Sequence, residues 1–161
     1  MLSTSFISYS HLITAIVALF TAATVLFAPK GTRFHKRMGY VFAVSLLLVN
    51  ITAAFMYNLT GTVNFLHVFI ILSFLSLSSG MWAAIRRKSK NWLTRHIAGM
   101  NAAALGVWAA GFAELTVRVL PFYLTQNQII TVAIAIGVLA FFVIWLLNQR
   151  YMKQQHLYMS K

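Results

Sequence analysis

The chain has 161 residues, of which 60% are hydrophobic and 9% charged, and its mean hydropathy is +0.79. A typical globular domain has about a quarter charged residues, and a single core cannot hide this much apolar surface from water. The composition therefore excludes the soluble classes. The chain also has no cysteine and only one acidic residue, Glu114, which excludes disulfide scaffolds, thiolate metal sites and paired-carboxylate catalysis.

The basic residues form three clusters separated by long uncharged stretches. The clusters are Lys30, Arg33, Lys36 and Arg37; five residues between Arg86 and Arg95; and Arg150, Lys153 and Lys161. Such clusters are typical of the cytoplasmic loops of membrane proteins, which are enriched in Lys and Arg. We therefore assign the net charge of +12 to the cytoplasmic face of a membrane, and no nucleic-acid partner is expected.

Five apolar stretches are long enough to cross the hydrocarbon core as helices. The first covers about 6–28 and is stopped by Pro29-Lys30-Gly31. Turn-forming residues from Asn58 to Asn64 divide the next uncharged stretch into helices at about 38–57 and 65–85. A fourth helix covers about 96–117 and is closed by Pro121. A fifth covers about 129–147 and ends at Asn148-Gln149-Arg150.

These stretches predict an all-α integral membrane protein, with 1–161 as a single transmembrane domain and 148–161 as a basic cytoplasmic tail. With the basic clusters inside, 12 of the 13 Lys and Arg residues are cytoplasmic, the N-terminus is outside and the C-terminus is inside. The first four helices are expected to form an up-down four-helix bundle. The fifth helix has no ionisable residue within its span and is expected to pack peripherally.

Four histidines fall near the ends of the predicted spans, where ionisable residues are candidates for function. His11 and His67 lie at the outer ends of the first and third helices, and His35 and His96 at the inner ends of the second and fourth. Helices one and three are diagonal in an up-down bundle, as are two and four, so each pair is expected to meet across the bundle. His156 is expected to be solvated in the tail.

Small residues follow the histidines on the same helix faces. His96 and Glu114 are 18 residues apart, or five turns, so they share a face of the fourth helix. The residues between them on that face are Gly99, Ala103, Gly106 and Ala110, and those that follow His11 are Ala15, Ala18 and Ala22. Two interpretations stay open, which are close helix packing and room for a flat cofactor between the helices.

Glu114 also has two interpretations. Arg118 follows it at i+4, a spacing that favours an ion pair on one helix. Alternatively, Glu114 lies in the same outer layer as His11 and His67 and joins them as a ligand, an orienting group or a proton acceptor.

One pattern combines the histidines with a basic segment. It consists of His11, Lys30-Gly31-Thr32-Arg33-Phe34-His35-Lys36-Arg37-Met38-Gly39-Tyr40, Asn50, His67 and the basic loop before His96. This pattern resembles the predicted bacterial membrane proteins called domain of unknown function 2306. The resemblance covers about His11 to Arg118, and it implies a multi-pass protein of the bacterial inner (cytoplasmic) membrane.

The two-layer histidine arrangement is similar to that of the di-haem transmembrane cytochromes b, which carry electrons through bis-histidine haems. This resemblance implies one or two haem b groups and electron transfer to or from a quinone or another membrane redox partner. His11 and His67 would hold an outer haem, and His35 and His96 an inner one. The basic residues expected to pair with propionates are Lys30, Arg33, Lys36 and Arg95.

Two further functions stay open. His11, His67 and Glu114 match common ligand sets for non-haem zinc or iron. In the other alternative, the protein is a non-catalytic accessory or assembly subunit of a membrane complex, and its histidines are hydrogen-bonded interface residues. Its expected partners are other membrane subunits or further copies of the same chain. Whether the protein is an enzyme is not decided by its sequence.

Overall fold

A computed structural model describes residues 4–56, 66–119 and 125–159. These residues form helices and short connections, and the prediction of an all-α protein with five helices is confirmed. The helices are α1 (Thr4–Phe27), α2 (Arg33–Ala54), α3 (Leu66–Arg86), α4 (Trp92–Val119) and α5 (Gln126–Met159). The predicted breaks at Asn58–Asn64 and Pro121 lie outside the described residues.

The connection between α1 and α2 follows from its sequence. Pro29 cannot continue α1, and Gly31 has a φ of 80°, a conformation that side chains other than glycine rarely adopt. Thr32 caps α2, because its hydroxyl oxygen accepts the backbone N–H of His35 at 3.1 Å. The helix therefore begins at Arg33 rather than at the predicted residue 38, which lies beyond the basic segment.

The fifth helix continues beyond its predicted end near residue 147. It reaches Met159, so most of the segment expected to be a cytoplasmic tail is helical. The residues Asn148-Gln149-Arg150 do not break the helix, because neither glycine nor proline follows Gly137 in the sequence. The polar residues at this point indicate that the helix passes from an apolar to an aqueous environment, but they do not end the helix.

Four helices in the described part of the chain are both long and apolar enough to cross a membrane. Their spans are Phe6–Phe27, Arg33–Ala54, His67–Arg86 and Asn127–Arg150. The 28 residues of α4 are long enough, but Arg95, Asn101 and Glu114 interrupt a helix rich in alanine and glycine. Its apolar character is consequently weaker, and the expected fifth crossing stays a prediction.

The chain forms two compact units, Met1–Phe74 and Leu75–Lys161, with the boundary inside α3. In the first unit α1 packs along α2. Ala18 and Ala22 of α1, together with Phe42 and Leu46 of α2, are almost completely buried. The alanines that follow His11 on α1 therefore belong to a close helix contact, as the first of the two interpretations expects.

In the second unit α4 packs along α5. Ala103, Ala109 and Ala113 of α4 and Ala133 of α5 are buried. Asn101 is buried as well, and its Nδ2 donates to Oδ1 of Asn148 on α5 at 3.0 Å. This bond satisfies a polar side chain that would otherwise lie unpaired within an apolar surrounding.

Candidate functional site

His11 is buried near the start of α1 and is hydrogen-bonded to α2. Its Nδ1 lies 2.9 Å from Oγ1 of Thr52, and this hydroxyl also lies 2.8 Å from the carbonyl oxygen of Leu48 and 3.0 Å from that of Val49. A hydroxyl has one hydrogen and a carbonyl oxygen only accepts, so the Thr52 hydrogen goes to its own helix. His11 Nδ1–H then donates to Thr52, which assigns the lone pair of the neutral ring to Nε2.

His96 makes a comparable bond in the second unit. Its Nδ1 lies 2.9 Å from the carbonyl oxygen of Gly80 on α3. Because a carbonyl oxygen cannot donate, Nδ1 of His96 carries the hydrogen, and the lone pair of the neutral ring lies on Nε2. Two of the four candidate histidines are thus oriented through Nδ1 by the neighbouring helix.

The bond of His96 lies beside a close crossing of α3 and α4. A Cβ atom added at Gly99 would stand 2.7 Å from the nitrogen of Gly80 and 2.7 Å from the carbonyl oxygen of Ser76. The space beside Gly99 is therefore filled by the backbone of α3. At Gly99 the first of the two interpretations, close helix packing, describes the structure, because the missing side chain is used for helix contact.

Gly39 and Gly106 differ from Gly99. No atom lies within 4 Å of a Cβ added at either position in the described part of the chain. Gly39, which follows His35 by about one turn of α2, therefore has open space beside it, whereas Gly99, which follows His96 on α4, does not.

Asn50, near the end of α2, forms a polar contact with α3. Its Oδ1 accepts a hydrogen bond from Oγ of Ser73 at 2.6 Å, and only 7% of the residue is exposed. Its Nδ2 is buried and has no hydrogen-bond partner within the described residues. Asn50 and Thr52 therefore join the last two turns of α2 to α3 and α1, respectively.

The remaining candidate histidines lie at the starts of two helices. His35 is in the first turn of α2, where Thr32 accepts its backbone N–H, and its Nδ1 is buried. His67 is the second residue of α3, half-buried, with a buried Nε2. Both residues belong to the same unit as His11.

The expected propionate contacts differ in their surroundings. Nζ of Lys30 donates to the carbonyl oxygens of Val25 and Leu26 at 2.6 and 2.7 Å, so this side chain satisfies the end of α1. Partial burial lowers the pKa of Lys30. Arg33, Lys36 and Arg95 are exposed, so they are accessible to an anion and their role stays a prediction.

The basic loop between α3 and α4 is supported by two tryptophans. The guanidinium of Arg86 lies 4.5 Å from the centre of the Trp82 ring, and that of Arg87 lies 4.9 Å from Trp92. Arg87 itself has a φ of 48°, a left-handed conformation common just after the end of a helix. Cation–π contacts of this kind suit the membrane–water interface, where tryptophan is enriched.

Glu114 is half-buried on α4. Among the described residues, no group of three or more His, Cys, Asp or Glu side chains could hold a metal ion. The proposed His11, His67 and Glu114 ligand set therefore gains no support. The side chain of Arg118 lies outside the described residues, so the ion pair with Glu114 stays a prediction.

Two buried asparagines were missed as structural residues. Asn50 entered the sequence analysis only as part of a family pattern, and Asn101 did not enter it at all. The sequence does contain a signal for this role, because each is a strongly polar residue within an apolar helix. Such a residue usually forms a hydrogen bond to a neighbouring helix. The partners Ser73 and Asn148 could not be identified without the tertiary structure.

These features define a class, the all-helical multi-pass membrane proteins with hydrogen-bonded polar side chains between their helices. The family described as "Predicted membrane protein (DUF2306)" matches residues 8–152, and the chain belongs to this family. The resemblance of the sequence to the domain of unknown function 2306 family is thereby confirmed. No curated protein and no solved structure gives a significant match.

Proposed function

We propose that the protein binds haem b through His11 and His67 and transfers electrons to or from a quinone or another redox partner in the membrane. The observation that supports this proposal best is the hydrogen bond of His11 to Thr52. It orients a buried imidazole and assigns its lone pair to Nε2, which is the form that binds iron.

The residues present fit the chemistry of a haem site. Haem supplies one-electron redox chemistry and accepts neutral imidazole as an axial ligand. Thr52 restricts the rotation of the His11 ring, and the buried surroundings of His11 keep water away from it. Hydrogen bonding at Nδ1 raises the basicity of Nε2, and His67 contributes a second buried ring nitrogen.

The inner pair is the weaker candidate. His96 is oriented through Nδ1 as His11 is. The space beside Gly99, one turn further along α4, is however occupied by the backbone of α3. We therefore propose one haem, held by His11 and His67, and the inner haem at His35 and His96 stays a prediction from the sequence.

A non-catalytic accessory subunit is the second candidate function. The same observations favour it, because the bonds of His11 to Thr52 and of His96 to Gly80 also join helices as structural hydrogen bonds do. In this case the histidines stabilise the protein without holding a cofactor.

Spectra of the purified protein test the proposal. Reduced-minus-oxidised Soret and alpha bands are expected in the wild type, and both are expected to disappear in His11→Ala and His67→Ala. With one outer haem, His35→Ala and His96→Ala retain the full haem content. With two haems, each of these variants loses about half. A colourless wild type overturns the proposal, and stoichiometric zinc or iron would then favour a non-haem metal site.

Thr52→Val separates a haem ligand from a structural histidine. If His11 holds haem, this change keeps haem bound but shifts its reduction potential, because the hydrogen bond to Nδ1 is lost. Thr21→Val is the matched control, since the Thr21 hydroxyl also donates to carbonyls of its own helix, those of Val17 and Ala18. Equal potentials in the two variants would contradict the role assigned to Thr52.

A further inference from the structure

We infer that the basic loop between α3 and α4 binds the phosphate groups of anionic phospholipids at the membrane–water interface. The basic loop is residues 86–95, from the last residue of α3 to the first turn of α4. Neither His11 nor His67 takes part, so the loop binds lipid whether or not the protein holds haem. The basic side chains of the loop, all of them exposed, are Arg86, Arg87, Lys88, Lys90 and Arg95.

The only acidic side chain of the protein lies far from this loop. Glu114 follows Arg95 by 19 residues on α4, which is about 28 Å of helix. Charges so far apart are beyond the Debye length of about 8 Å at physiological ionic strength. The positive charges of the loop therefore repel one another without a carboxylate side chain to neutralise them, and an anion from outside the chain stabilises them.

Two of the basic residues are positioned by tryptophan rings. The guanidinium carbon of Arg86 lies 4.5 Å from the centre of the Trp82 ring, and that of Arg87 lies 4.9 Å from the centre of the Trp92 ring. These contacts restrict the rotation of both arginine side chains. Binding an anion consequently costs less side-chain entropy at these two residues than it would at a freely rotating lysine.

Both guanidinium groups keep hydrogens that an anion can accept. The N–H bonds of a guanidinium lie in its plane and form a fork that fits two oxygens of one phosphate. An aromatic ring over the group does not use up these hydrogens as a carboxylate would. Nε of Arg87 donates to the carbonyl oxygen of Ala84 at 3.0 Å, which leaves the hydrogens of its two terminal nitrogens. Arg86 and Arg87 are therefore the residues expected to contact phosphate.

The position of Trp82 favours a lipid phosphate over a soluble one. Arg86 is the last residue of the apolar span His67–Arg86, and Trp82, one turn earlier, is 62% exposed. An exposed tryptophan at the end of such a span lies among the lipid headgroups. The guanidinium beside its ring therefore lies at the depth of the lipid phosphates. Only residues 87–91 separate α3 from α4, so the connection is too short to carry the other basic residues far into water.

The charge of the loop selects among phospholipids. All phospholipids have a phosphate, but phosphatidylcholine also has a quaternary amine, whose positive charge is repelled by basic residues. A lipid with a net negative charge, such as phosphatidylglycerol, is attracted by Lys88, Lys90 and Arg95 in addition to its contacts with Arg86 and Arg87. The expected ligand is consequently an anionic phospholipid.

Quenching of tryptophan fluorescence by brominated lipid tests the inference. The whole protein with Trp108→Phe and Trp145→Phe keeps Trp82 and Trp92 as its only tryptophans. It is reconstituted in vesicles of equal parts phosphatidylglycerol and phosphatidylcholine, with bromine on the acyl chains of one lipid or the other. Phosphatidylglycerol is expected to be preferred about fivefold beside the loop, and so to quench more strongly when it carries the bromine. Equal quenching by the two lipids overturns the inference.

Arg150→Gln is the matched control for Arg86→Gln. Arg150 is exposed and ends the span Asn127–Arg150 as Arg86 ends its own span, but it has no cation–π contact among the described side chains. Arg86→Gln and Arg87→Gln together are expected to reduce the lipid preference to about twofold or less, whereas Arg150→Gln leaves it unchanged. An equal reduction by each of the three single substitutions overturns the inference, because the lipid would then be attracted by general surface charge.

Thermal unfolding in neutral detergent is a second measurement, which needs no tryptophan substitution. Phosphatidylglycerol is expected to raise the unfolding temperature of the wild type more than phosphatidylcholine does, and the protein with Arg86→Gln and Arg87→Gln is expected to lose this difference. Glycerol phosphate and polyglutamate are expected to have no such effect. If either stabilises the wild type as phosphatidylglycerol does, through the same two arginines, the partner is a soluble phosphate or an acidic protein and the inference is wrong.

Discussion

Nδ1 of His96 lies 2.9 Å from the carbonyl oxygen of Gly80, one turn of α4 away from the point where Gly99 touches the backbone of α3. The two contacts depend on each other. A side chain on Gly80 or Gly99 would push the helices apart, and the imidazole would then no longer reach a backbone carbonyl. The two glycines therefore hold the crossing of α3 and α4 at the distance that His96 requires.

Gly99→Ala is expected to destabilise the protein, by about 1–3 kcal/mol, because the new methyl group would overlap the backbone of α3. Gly106→Ala is the matched control on the same helix, since no atom in the described part of the chain lies within 4 Å of the new Cβ. It is expected to stabilise α4 by about 0.5–1 kcal/mol. Denaturation in detergent, followed by circular dichroism, measures both. A loss of stability in Gly106→Ala equal to that in Gly99→Ala would contradict the crossing.

Asn101 and Asn148 are expected to be coupled energetically across α4 and α5. A double-mutant cycle with alanine at both positions should give a coupling of about 0.6 kcal/mol, the average for such bonds in membranes. A cycle between Asn101→Ala and Thr131→Val is the control, because Thr131 donates to its own helix at Asn127. The control coupling is expected to be near zero, and a comparable value in both cycles would exclude a specific bond.

Lys30→Met is expected to destabilise the end of α1, since the carbonyl oxygens of Val25 and Leu26 lose their donor. Burial lowers the pKa of Lys30 below its ordinary 10.5, so in the window between the lowered pKa and 10.5 the unfolded chain binds more protons than the folded one. The stability difference between wild type and Lys30→Met should therefore grow as pH rises through that window. A difference that shrinks with rising pH would show that the pKa is not lowered.

Cysteine labelling tests the orientation and the crossing by α4. A cysteine at Ser89, before α4, is expected to react only from inside, and one at Thr125, after α4, from outside, because the basic residues mark the cytoplasmic face. A cysteine at Gly61 is expected to react from outside. If Ser89 and Thr125 label from the same side, α4 does not cross and the outer position predicted for Glu114 is wrong.

Composition and charge were sufficient to identify the type of protein and most of its helices. Long uncharged stretches predict helices in any membrane protein, because a backbone in hydrocarbon must satisfy its own hydrogen bonds. Pro29 and Gly31 located the end of α1 for a similarly local reason. The end of α5 was placed too early, since the change to polar residues at Asn148 marks a change of surroundings and not of conformation.

The partners of the buried polar groups were decided only by the tertiary structure. The sequence identifies His11, Asn50 and His96 as polar residues in apolar helices, but their choice of Thr52, Ser73 and the Gly80 carbonyl depends on how the helices are rotated and how closely they pack. Gly99 shows the same limit. A missing side chain fits both open space and a tight contact, and only the position of the α3 backbone distinguishes them. Local preferences act within one helix, whereas these contacts join residues that are far apart along the chain.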